Sequence, residues 1–197
     1  MNAMLLSRNI YKSLDWTLHT VRFFRRHFLV IFGLGLVAAL GRTIQLKAFG
    51  PISPSSNALI EVVVESARLA IFLYALGLSN VRKGTTRFIE FVANRQSRRQ
   101  NWQLGSRKLR RNWPALLGNL FIFSLLAFFV NAFINHIAYE TCLYITLKTR
   151  QLISGQASEW VLILFFKNLS VIPFTLIFSA LFWLWLVNRL PKPITYT

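Results

Sequence analysis

The sequence predicts an all-α integral membrane protein: a four-helix bundle with amphipathic interfacial helices on the cytoplasmic side. Three observations carry that fold class. Hydrophobic residues make up 54% of the 197 and mean hydropathy is +0.46, too apolar for a soluble domain of this length. The apolar residues gather into four stretches of membrane-crossing length. The basic residues fall in blocks between those stretches, as topology requires.

The chain reads as one membrane domain, 1–197, with spans at about 27–47, 58–80, 114–137 and 161–188. Span one is built on FLVIFGLGLVAALG, Phe28 to Gly41. Those fourteen residues fall short of a roughly 30 Å hydrocarbon core at about 1.5 Å per residue, so Arg42 to Leu46 must extend them, with Arg42 snorkelling outward. Gly33, Gly35, Ala38, Ala39 and Gly41 give this span a small-residue side suited to close helix approach. Span two follows the uncharged breaker GPISPSSN, with Ser56 or Asn57 as its cap. Span three opens on Pro114, whose missing N–H is harmless in a first turn. Span four contains Pro173, which should kink it or mark a join with the apolar segment starting at Trp160.

A lead-in helix at about 9–26 places Ile10, Leu14, Leu18, Val21, Phe24 and Phe28 on one face, with Tyr11 and Trp16 suited to headgroups. The basic cytoplasmic loop 81–113 should carry a second such helix before span three. The two approaches align without a gap at an offset of 85: Arg22, Arg25, Arg26 and Gly33 over Arg107, Arg110, Arg111 and Gly118. Either a duplicated unit or the shared demands of membrane entry produces such a match.

Formal net charge is +17. In a soluble chain that would point to nucleic acid. Here 17 basic residues lie on the side of the termini and the central loop, against four on the other. The positive-inside rule then puts both termini in the cytoplasm of what reads as a bacterial inner membrane. The expected partners are the bilayer and its anionic phospholipids, contacted through Arg22, Arg25, Arg26, Arg107, Lys108, Arg110 and Arg111. An acidic protein is the next alternative for the basic loop, and nucleic acid the last.

Span two holds the most informative polar residues, Glu61, Glu65 and Arg68, which share one face at spacings of four and three. Arg68 lies roughly 12 Å along the helix from Ile60, where a lone charge is costly, so Glu65 is its expected partner. Asn131, Asn135 and His136 on span three and Lys167 and Asn168 on span four lie near the same level. The expectation is one polar cluster in the outer half, with Lys167 reaching Glu61 or Glu65.

No phosphate-binding glycine loop, nucleophile elbow or zinc spacing occurs, so no catalytic residue, metal site or cofactor is read. The single cysteine, Cys142, reads as a small packing residue. The favoured function is a non-enzymatic membrane subunit or scaffold that binds anionic lipid and partner helices, as a homo-oligomer or with other subunits. A transporter or channel component using the polar cluster is the alternative, and a membrane-embedded lipid-acting enzyme a weaker one.

Overall fold

The computed structural model describes residues 15–190, and among them it is helical with no strand. The part of the predicted lead-in before Asp15, including Ile10, Tyr11, Lys12 and Leu14, lies outside the described residues. We number the helices α1 (Asp15–Arg26), α2 (Phe28–Gln45), α3 (Pro54–Leu76), α4 (Val81–Ala93), α5 (Arg95–Arg111), α6 (Trp113–Tyr139), α7 (Leu143–Thr149), α8 (Trp160–Leu169) and α9 (Val171–Leu186).

Three helical stretches are long and apolar enough to cross a membrane: α2, α6, and α8 with α9 taken together. That is the mark of a membrane protein. The 23-residue α3 has the length, but Glu61, Glu65 and Arg68 keep it out of that set. Its start also differs from expectation. Ser53, not Ser56 or Asn57, is the cap: its hydroxyl accepts the Ser56 N–H at 3.2 Å, and Pro54 occupies the first turn.

The break in the last span falls at Ser170, three residues before Pro173. Proline supplies no N–H to the carbonyl four residues back and crowds it, so the distortion appears one turn upstream. The segment 81–113, expected to carry one helix before span three, holds two, α4 and α5. Asn94 ends α4 and caps α5, accepting the amides of Gln96 and Ser97 at 3.0 and 3.1 Å.

The main core joins α2, α3 and α9 through Ile31, Ile71, Ile177, Leu181 and Leu184. Smaller clusters seat α8 against α6, through Ile134, Leu162 and Ile163, and α2 against α3, through Ala38 and Val64. The small side of α2 serves both neighbours. A Cβ on Gly35 would meet the Asn168 carbonyl of α8 at 2.9 Å, and one on Gly41 would collide with Val64 of α3. Gly33 faces open space and is not part of that seam.

The lead-in helix is docked rather than afloat. Trp16 is 1% exposed and packs against Phe178, Phe182 and Trp185 of α9. The buried face runs through Trp16, Thr17 and Thr20, while Val21 and Phe28 look outward. Trp16, expected among headgroups, instead anchors in the bundle, and of the expected apolar face Phe24 packs against the core while Val21 and Phe28 stay exposed. Cys142, expected to pack, is exposed.

Candidate functional site

The polar residues of α3 assemble into a ladder that crosses three helices. Arg42, at the end of α2, places Nη1 2.6 Å from Oε2 of Glu61 and Nη2 3.0 Å from its Oε1, a bidentate fork. The same Nη2 reaches Oε1 of Glu65 at 2.7 Å. Arg68 donates from Nη1 to that oxygen at 2.6 Å. Its Nε and Nη2 both donate to Oδ1 of Asn168 on α8, at 3.2 and 2.8 Å. Gln45 closes the outer rung, donating to Glu61 at 2.8 Å and accepting from Arg42 at 2.8 Å.

Local sequence explains the arrangement. Residues 61, 65 and 68 are one turn apart, so their side chains stack on one face of α3. Gly41 lets α2 lie against α3, which turns the next residue, Arg42, toward the carboxylates instead of outward to snorkel. Asn168 is 1% exposed and donates its own amide to the Leu164 carbonyl at 2.7 Å, which fixes Oδ1 toward Arg68. The ladder contains two guanidiniums and two carboxylates, so it is neutral as a unit. Its guanidiniums lie inward, with side chains 22% and 19% exposed, and its carboxylates outward at 45% and 50%.

Four predicted members stay apart. Lys167 forms no ion pair among the described residues. With about 3.6 residues per turn, seating Asn168 against Arg68 rotates its neighbour roughly 100° away. Asn135 and His136 are exposed because Ile134 and Ala138 take the face of α6 that packs on α8. Asn131 donates to the Ala127 carbonyl of its own helix at 2.8 Å. Arg42 and Gln45 had not been expected in the cluster. Their signal was present: a pair three apart, directly after the small-residue seam.

A second polar contact joins α1 to α6. Asn119, fully buried, accepts the Thr17 hydroxyl at 2.6 Å and the Thr17 amide at 3.1 Å. It thus satisfies from another helix an amide in the first turn of α1 as described, the role that a local cap usually fills. Its own Nδ2 donates to Ala115 at 2.8 Å.

Of the basic residues assigned to lipid, Arg22, Arg25, Arg26, Arg107, Arg110 and Arg111 are exposed. Lys108 is half-buried and otherwise engaged. Its Nζ donates to the Trp185 carbonyl at 2.5 Å and to Asn188 Oδ1 at 2.7 Å, and lies 4.3 Å from the Trp185 ring centroid. Burial holds its pKa below the ordinary lysine value. Among the described residues no group of three or more His, Cys, Asp or Glu gathers where it could hold a metal ion.

Comparison with protein families, with curated proteins and with solved structures finds no match.

Proposed function

We propose that this chain is a non-enzymatic multi-pass membrane subunit or scaffold that binds anionic lipid and partner helices. In this reading α3 is a fourth span, both termini and the α4–α5 layer are cytoplasmic, and the membrane is a bacterial inner membrane. The observation that carries it is the neutral ladder. Its guanidiniums and carboxylates offset one another, which lets a charged helix lie at membrane depth and ties α2, α3 and α8 together. Interhelical polar contacts of this kind hold membrane helices where the hydrophobic effect gives no drive for association. The unpaired apolar face of α6, with Phe121, Phe128, Phe129 and Phe133 exposed, suits lipid or a partner helix. The exposed arginines of α1 and α5 suit anionic headgroups.

One feature favours the second reading, a transporter or channel component. The Glu61 and Glu65 side chains are about half exposed rather than sealed, so a permeating cation could reach them. Reconstitution decides between the two. Proteoliposomes of the full chain should show no cation flux above empty vesicles, and native purification should yield a defined oligomer or co-purifying subunits. Cation flux abolished by Glu65→Gln would overturn the scaffold reading.

A further inference from the structure

We infer that the basic end of the bundle carries a built site for one anionic phospholipid, formed where an apolar slot opens into a cationic hollow. This rests on the membrane-subunit reading and deepens it. The slot is a cavity of about 130 Å³ between the ends of α3 and α9 and the inner face of α4. Phe72, Phe88, Phe91 and Trp183 line it, and Phe91 packs edge-on to Trp183 at 4.3 Å between centroids. That volume compares with apolar protein cavities that hold a small hydrocarbon such as benzene, so it suits the upper segment of one acyl chain. Phe88 and Val92 are exposed at its edge, which leaves the slot open sideways, as a lipid tail requires.

Arg87 and Arg189 belong both to the slot and to a polar hollow beside it, where Asn80, Arg82, Lys83 and Thr86 complete the wall. Four cations there face one carboxylate, Glu90, which sits 3.7 Å from Arg189. Among the described residues Arg87 makes one hydrogen bond, to the Leu76 carbonyl at 2.7 Å, which anchors it at the end of α3 and leaves the rest of its guanidinium fork for a ligand. A phosphate in the hollow with its tail in the slot is the ligand chemistry that satisfies both halves at once. A second basic hollow, at Arg95, Arg98, Arg99 and Trp102, has no such slot among its lining residues and serves as the internal control.

The test is lipid titration of the purified full chain by native mass spectrometry, with dioleoyl phosphatidylglycerol and dioleoyl phosphatidylcholine as probes. The wild type should retain one phosphatidylglycerol in preference to phosphatidylcholine. Arg82 and Lys83 are exposed, so Arg82→Gln with Lys83→Gln should spare the fold and weaken that binding about thirtyfold, at about tenfold per 1.4 kcal/mol and about 1 kcal/mol per cation. Arg98→Gln with Arg99→Gln, in a separate hollow and screened by solvent from a lipid in the slot, should change it by less than about twofold. Val92→Trp, which fills the slot, should also weaken it, and glycerol phosphate should not compete. Equal loss in the two arginine-containing double variants would overturn the site while leaving the membrane reading intact. Competition by glycerol phosphate would make it a phosphate site without a lipid. Absence of any anionic preference in the wild type would remove the lipid part of the function as well.

Discussion

The two halves of the molecule are built to one plan but held together differently. Each begins with a basic helix, turns through a single residue into an apolar helix, and returns by another. His27 and Asn112, the turning residues, stand 85 apart, matching the offset of the sequence repeat. The return helices end alike at an offset of 110. Leu78 and Asn188 have φ of 50° and 56°, and the amides of Ser79 and Arg189 bond back to the carbonyls of Tyr74 and Leu184, both at 2.8 Å. The seams differ. Gly35, Ala38 and Gly41 of α2 stand over Leu120, Phe123 and Leu126 of α6 at the 85-residue register, and Arg42 over Ala127. In the first half Gly41 leaves room for the Val64 and Ile60 side chains of α3, Gly35 lets the α8 backbone come close, and the ion-pair ladder is added. The second places bulky side chains where the seam would be, and Leu120 and Leu126 look outward. Shared topology thus fixes where helices turn, while small residues and polar groups decide which of them close up.

Substitutions at the differing register positions test this contrast. The largest effect belongs to Gly41→Leu, which installs the second half's residue against Val64. It should cost about 3 kcal/mol by overpacking, read as thermal stability in detergent, whereas Gly33→Leu, facing open space, should cost little. Arg42→Leu should come next. Glu65 keeps Arg68, but Glu61 loses its fork, and abundance in the membrane should fall several-fold. The double variant Arg42→Leu with Glu61→Leu should recover part of it. Asn119→Leu should cost about 1–3 kcal/mol, because the buried Thr17 hydroxyl and amide lose their acceptor. Proteolytic release of α1 ahead of the other helices would show it.

Smallest is Lys108→Met, at about 0.5–1 kcal/mol, from the lost cation–π contact and helix-end hydrogen bonds. Because burial lowers the Lys108 pKa below 10.5, the unfolded chain binds the extra proton between the two values. Wild-type stability should therefore rise slightly with pH as it passes from the folded pKa toward 10.5, and Lys108→Met should lack that rise.

Much of this was legible from the residues alone. The apolar stretches locate α2, α6 and the α8–α9 pair, and helical spacing places Glu61, Glu65 and Arg68 on one face. Periodicity could not say which face of α1 is inside, since Trp16 is equally at home in headgroups and in a core. Nor could it show that Asn168 rather than Lys167 reaches Arg68, because that depends on how α8 is rotated. Asn119, within the most apolar stretch, was a polar group in need of a partner, but Thr17, which donates to it, lies 102 residues away.

In the proposed reading α3 crosses the membrane despite its charges, neutralised by the ladder. Single-cysteine accessibility tests it most directly. With the exposed Cys142 replaced by serine, Ser55→Cys in the first turn of α3 and Ser97→Cys beyond its other end should react with an impermeant maleimide from opposite sides. Ser55→Cys should label in intact cells and Ser97→Cys only after permeabilisation. Labelling of both from the same side would contradict a fourth span, and labelling of Ser97→Cys alone from outside would invert the orientation.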